Sequence, residues 1–143
     1  MVISSKPNCS NGHHSKRILV VDDDEGIRET LKDLLEFKHY SVSSVKNGKE
    51  AIEICSREHF DKVLMDVRMP EMDGMEALNI LHGLYPNIDV YMMSAYFSNE
   101  QEKMAYKQGA KRVFYKPLNL NKLFDSIQEN KANNEKLPYG KRC

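Results

Sequence analysis

Four short apolar runs in this chain end in polar or charged side chains. The first ends in Asp22, Asp23 and Asp24, a second in Asp66, a third in Ser94, and a fourth in Lys116, which Pro117 follows. Carboxylates drawn together without a cation repel one another and raise at least one pKa, so Asp22, Asp23 and Asp66 call for a cationic companion. Oxygen donors with no thiol or imidazole nearby suit Mg²⁺, or Mn²⁺, better than zinc or copper. Mg²⁺ commonly binds one or two carboxylates plus a phosphate, which leaves room for a phosphoryl group. Lys116 could neutralise one of its oxygens and Ser94 could donate a hydrogen bond to another. Singly, each residue has a plainer reading: Asp24 as a helix cap, Ser94 bonding a loop amide, Lys116 as a solvated lysine. Asp66 has none so easy, because it closes the apolar run Val63, Leu64, Met65 and its desolvation needs an answer.

Those residues meet only if the runs are strands of one sheet. From Ile18 the chain alternates β-branched or apolar runs with longer stretches of helical periodicity, five times over. The expected strands are Ile18 to Asp22, Tyr40 to Val45, Lys62 to Met65, Ile88 to Met93 and Arg112 to Tyr115. Helical stripes are Ile27, Leu31, Leu34 and Leu35; Ala51, Ile52 and Cys55; Met75, Leu78 and Leu81; and Leu120, Leu123, Phe124 and Ile127. The remaining helix runs from Ser98 to Gln108, opened by a Ser98/Gln101 capping box and stopped by Gly109. Strands joined through helices imply a parallel sheet covered on both faces, an α/β fold of five units. The carboxyl ends of its strands are where a ligand site belongs.

Composition narrows the function classes. The chain has 143 residues, room for one domain, with 41% hydrophobic and 29% charged residues. Basic and acidic residues number 21 each, so the basic excess of a nucleic-acid binder is missing. Residues 18–127 carry a balance of −5 and the two ends +5. Cys9, Cys55 and Cys143 form no CxxC pair, which argues against a disulfide framework or a structural zinc site and for a reducing compartment. No apolar stretch is long enough for a membrane span, and the start lacks a signal-peptide run. These features predict a cytoplasmic protein that binds neither membrane nor nucleic acid directly. Residues 1–17 and 129–143 are polar and aperiodic and read as flexible ends around a domain at 18–128. The His13/His14 pair has no partner ligand, and Met65, Met69, Met72 and Met75 suit packing better than cofactor binding.

Four stretches carry a family resemblance: ILVVDDD over Ile18 to Asp24, LMDVRMPEMDG over Leu64 to Gly74, Met93-Ser94-Ala95, and Tyr115-Lys116-Pro117. The chain resembles a receiver domain of a bacterial two-component response regulator of the chemotaxis-regulator type. The resemblance implies a doubly wound, flavodoxin-like, five-stranded parallel sheet in the order 2-1-3-4-5. It implies that Asp66 is the phosphoacceptor and that Asp22, Asp23, Asp66 and the backbone carbonyl of Arg68 bind Mg²⁺, Asp22 through water. Ser94, Ala95 and Lys116 would contact the phosphoryl group and switch, and the Lys116–Pro117 bond would be cis. The implied function is a signalling switch that takes a phosphoryl group from a phosphohistidine of a histidine kinase or histidine phosphotransfer protein. Its only catalysis would be its own phosphotransfer and slow autodephosphorylation. The implied oligomeric state is a monomer or a phosphorylation-dependent dimer.

One departure concerns readout. Family members usually carry a Tyr or Phe three residues before the lysine, where this chain has Val113, with Phe114 and Tyr115 out of register by one and two. The resemblance implies that Arg68 and Tyr96 border the approach to the phosphoryl group, and neither carries a carboxylate or amide to orient an attacking water, which predicts a long-lived acyl phosphate. Two rival readings stand beside the switch. A Mg²⁺-dependent phosphatase with an aspartate nucleophile typically has a second Asp two residues on, where this chain has Arg68. A phosphorylation-independent interaction module would not need the full set of charged residues. The polar end after Ile127 is too short to hold a DNA-binding domain, so the chain is either a lone receiver or part of a longer regulator. Kinase, downstream target and pathway are not written in these residues.

Overall fold

A computed structural model describes residues 16–128. The described part alternates β1 (Arg17–Val21), α1 (Glu25–Phe37), β2 (Ser41–Val45), α2 (Gly48–Cys55), β3 (Lys62–Asp66), α3 (Gly74–Leu84), β4 (Asp89–Ser94), α4 (Asn99–Lys107), β5 (Ala110–Tyr115) and α5 (Leu120–Gln128). All pairings are parallel and the sheet order is β2-β1-β3-β4-β5. The α/β fold and strand order implied by the resemblance are those observed. The two ends, with His13, His14, Cys9 and Cys143, lie outside the described residues.

The period-two alternation of strands divides the core in two. Leu19, Val21, Val63, Met65, Val90 and Met92 face α2, α3 and α4, together with Phe60, Leu78 and Leu81. Ile18, Val20, Leu64, Tyr91 and Met93 face α1 and α5, meeting Leu31, Leu35, Leu123 and Ile127. Met65 and Met69 are buried in the first of these cores, with Met72 and Met75 packed against it, so the methionines around Asp66 fill space. Helices start where a short polar side chain can accept from the first free amides. Asp24, Asn47, Asp73 and Ser98 each cap one, and Ser98 with Gln101 completes the expected capping box.

Several boundaries differ from the sequence reading for local reasons. Arg17 belongs to β1 rather than to a flexible end, because its N–H donates to the Asp61 carboxylate at 2.8 Å while Asp61 N–H donates back to the Arg17 carbonyl at 2.8 Å. The strand then stops at Val21, leaving Asp22 just past it. β3 continues through Asp66. β5 starts at Ala110, two residues early, since a register shift between Val90 and Tyr91, which lie opposite Ala110 and Arg112, hides the strand's start. At the opposite end of the sheet, buried Lys62 pairs with Asp89 at 3.1 Å and donates to the Tyr91 hydroxyl at 3.3 Å. That hydroxyl donates to the Ser126 carbonyl at 3.2 Å and so ties down α5.

Candidate functional site

β1 hands over to α1 in three residues, and those residues build one wall of the site. Asp24 turns its carboxylate to the Ile27 amide at 3.1 Å as the α1 cap, so its plainer sequence reading holds. Asp22 points the other way. It is buried, one carboxylate oxygen accepting the Asp24 amide at 2.9 Å and the other the Lys116 ammonium at 3.0 Å. Asp23 is exposed. Carboxylate oxygens of Asp22, Asp23 and Asp66 lie within 4.8 Å of one another.

Asp66 rides on the last residue of fully buried β3, and Gly74 fixes how closely α3 approaches it. The Gly74 N–H donates to the Val67 carbonyl at 2.8 Å, and a Cβ on Gly74 would stand 2.3 Å from the Asp66 carbonyl oxygen. Only glycine admits that approach. Gly74 closes the LMDVRMPEMDG stretch, where residue type alone assigns it no role.

Lys116 comes from the end of β5, its following bond to Pro117 is cis, and its ammonium bridges Asp66 at 2.9 Å and Asp22 at 3.0 Å. Burial pushes the Asp66 carboxyl above its ordinary range, and Asp22 and Asp23 add to that push against the opposing Lys116 ammonium. Burial also works against the charge on Lys116, but hydrogen bonds to Asp66 and Asp22 outweigh it and hold the ammonium charged. One ammonium therefore pairs with two buried carboxylates beside the exposed Asp23, and the Arg28 guanidinium donates to the Asp22 carbonyl at 2.7 Å.

Ser94 ends β4, buried beside this cluster, yet its hydroxyl is turned along its own chain. It donates to the Tyr96 carbonyl at 2.9 Å and accepts the Tyr96 amide at 3.2 Å, the loop-bonding role open to it from sequence. Ala95 and Tyr96 are exposed, Tyr96 at 65%. Arg68 is exposed and lines an open cleft with Asp23, Val67, Asp73 and Gln101, beside the acidic cluster. Val113 is half-buried against the α2/α3/α4 core, and its amide donates to the Tyr106 hydroxyl at 3.2 Å.

Tyr115, out of register with the usual aromatic position, has partners of its own. Its hydroxyl donates to the Glu102 carboxylate on α4, which raises the phenol pKa, and its ring meets Phe97 edge-on at 5.4 Å between centroids. The signal was available, since a two-residue offset from Val113 keeps the same face of a strand.

The same framework is found in characterised proteins. Residues 18–128 match the model of the response regulator receiver domain. The chain is 41% identical over 116 residues to the transcriptional regulatory protein ZraR of Escherichia coli, covering 81% of this chain and 25% of that protein. It is 32% identical over 115 residues to the sporulation initiation phosphotransferase F of Bacillus subtilis, covering 80% of this chain and 93% of that one. A crystal structure of a CheY-like receiver domain protein from Methanospirillum hungatei superposes with a TM-score of 0.77 at 34% identity, over 80% of this chain and 91% of that one. The chain thus spans about a quarter of the length of ZraR and nearly all of the shorter relatives. A match that runs from the first strand to the last helix makes this chain a member of the response regulator receiver domain family.

Proposed function

We propose that the chain is a phosphoacceptor switch of a two-component phosphorelay, with Asp66 receiving a phosphoryl group from a phosphohistidine on a histidine kinase or phosphotransfer protein. The observation that carries this reading is the convergence of Asp66, Lys116, Ser94, Asp22 and Asp23 on the carboxyl ends of adjacent strands.

In the transfer, an Asp66 carboxylate oxygen attacks phosphorus as the P–N bond to the donor imidazole breaks. The imidazole leaves with its electron pair and takes up a proton. Lys116 is held charged beside both carboxylates and meets the negative charge spread over the phosphoryl oxygens. Ser94 supplies a further donor once its hydroxyl turns from the Tyr96 carbonyl. Three clustered carboxylates with one lysine and no sulfur or imidazole donor suit a hard divalent cation, and Asp22, Asp23, Asp66 and the Arg68 carbonyl would hold Mg²⁺. When bound, Mg²⁺ supplies neutralisation of the phosphoryl oxygens. Burial raises the Asp66 carboxyl above its ordinary range, and the hydrogen bond from Lys116 opposes that rise. Arg68 and Tyr96 flank the approach without offering a group to orient water.

Among the described residues no helix is long and apolar enough to cross a membrane. With the balanced charge of the whole chain, this supports action in the cytoplasm on protein partners rather than on nucleic acid. The test is intact-mass measurement after incubation with a small acyl-phosphate donor and Mg²⁺. Wild type gains one phosphoryl group and Asp66→Asn gains none. Equal labelling of the two removes Asp66 from the role, and multiple turnover on small phosphate esters points to a phosphatase instead.

A further inference from the structure

The turn after β4 couples the site to α4 through residues outside the phosphoryl machinery. Ser94 has a single hydroxyl proton, which the Tyr96 carbonyl holds at 2.9 Å. Donating that proton to a phosphoryl oxygen therefore costs the turn one of its two internal bonds. Phe97, the next residue, is buried at 4% exposure with its ring edge against Tyr115. Tyr115 stands opposite Ser94 in the β4/β5 register, and the neighbouring Lys116 amide donates to the Ser94 carbonyl at 2.8 Å. Tyr115 in turn holds Glu102 on the first turn of α4 through its hydroxyl. Two residues back, Val113 presents only an aliphatic side chain, and its amide is occupied by the Tyr106 hydroxyl.

We infer that Tyr115, held by Phe97 and Glu102, is the aromatic residue through which α4 responds to phosphoryl binding, in place of the aromatic absent at position 113. This rests on Asp66 being the phosphoacceptor. The Tyr115–Glu102 bond belongs to the arrangement in which Ser94 is bonded to Tyr96. When the Ser94 hydroxyl turns to the phosphoryl group, the turn shifts, the packed Phe97 ring moves with it, and Tyr115 leaves Glu102. Packed rings move between discrete arrangements rather than by continuous deformation, so a small change at Ser94 is enough. Tyr115 touches neither phosphoryl group nor metal and acts as a positioning residue.

Linkage gives the test. A bond made only in the phosphoryl-free arrangement opposes ligand binding, and removing it tightens binding by the factor that the bond is worth. For one hydrogen bond that factor is about threefold to tenfold. Beryllofluoride with Mg²⁺ serves as the phosphoryl probe, read by 19F NMR of protein carrying 3-fluorotyrosine, with the Tyr115→Phe spectrum identifying the Tyr115 resonance. Beryllofluoride is expected to shift that resonance. Tyr115→Phe and Glu102→Leu should each bind the probe more tightly, the double variant no more tightly than the tighter single one, and Mg²⁺ alone should bind all four proteins equally. A merely structural role for Tyr115 would lower melting temperature without this pattern. Beryllofluoride binding that leaves the Tyr115 resonance and the variants' affinities unchanged overturns the inference and spares the phosphoacceptor reading. Absence of any beryllofluoride response in wild type, matching Asp66→Asn, removes both.

Discussion

Two glycines of α3 turn the same substitution into opposite outcomes. Gly74 opens the helix against the end of β3, where an added Cβ would lie 2.3 Å from the Asp66 carbonyl oxygen and 2.8 Å from the Val67 Cα. Ordinary contacts begin well above 3 Å, so the helix start must withdraw by roughly 0.7 to 1 Å. The obstructing atoms are backbone of a buried strand, which cannot rotate aside, so Gly74→Ala falls at the upper end of overpacking costs, about 2–3 kcal/mol. For a domain of this size that lowers the melting temperature by about 8–12 °C. Gly83 lies near the other end of the same helix with nothing within 4 Å of its would-be Cβ. Gly83→Ala gains helix propensity of about 0.5–1 kcal/mol and raises melting by about 2–4 °C. Because the displaced backbone carries Asp66, Gly74→Ala should also slow labelling by an acyl-phosphate donor on the order of a hundredfold, as expected for a reacting group misplaced by about 1 Å. Gly83→Ala should leave the labelling rate unchanged. Thermal melts and timed intact-mass labelling give both readings. If Gly74→Ala melts within about 2 °C of wild type, or labels at the wild-type rate, the close approach does not position the phosphoacceptor.

Two further outcomes are open to measurement. His39 ends α1 in the left-handed region at φ 75°, with its amide on the Glu36 carbonyl and the Tyr40 amide on the Leu35 carbonyl, a Schellman arrangement built without glycine. His39→Gly should therefore stabilise the fold by about 0.5–1 kcal/mol, and a melt at or below the wild-type temperature contradicts the strain argument. The acyl phosphate should decay slowly in wild type and on the order of tenfold faster in Arg68→Asn with Tyr96→Glu, which sets an amide and a carboxylate beside the incoming water. Decay of the double variant at the wild-type rate discards shielding by these two residues.

The parts legible in the sequence were those governed by repeating rules. Apolar and β-branched runs located five strands and, at the ends of four of them, Asp22, Asp66, Ser94 and Lys116, because burial and strand polarity are written residue by residue. Three of the four caps on α1 to α4 went unclaimed or stood only as an alternative, although Asp24, Asn47 and Asp73 all have capping chemistry. What escaped depends on contacts between distant segments. The start of β5 was hidden by a bulge, a property of its pairing with β4 rather than of its composition. The bonds from Ser94 to Tyr96 and from Tyr115 to Glu102 are choices among acceptors that only the folded chain brings into reach. Tyr115 lies two residues from Val113 and so shares its face of the strand, whereas Phe114, one residue away, turns to the other.

The electrostatics of the site explain why a switch can be built from so few residues. Lys116 pairs with Asp22 and Asp66 together, so one ammonium serves two buried carboxylates, while a third, Asp23, stands exposed beside them. The pressure shows in Asp66, whose carboxyl is pushed above its ordinary range even with an ammonium at 2.9 Å. A fold could relieve that pressure with a second lysine, and Asp66 would then be an ordinary ion-paired carboxylate with little affinity for further cations. Leaving it unrelieved keeps the site receptive to positive charge. The single buried hydroxyl nearby, Ser94, is meanwhile satisfied by its own backbone and must be taken from it. Charge imbalance at the strand ends thus favours occupation, and the bonds of one turn oppose it. The balance between them sets how completely occupation can be transmitted to α4.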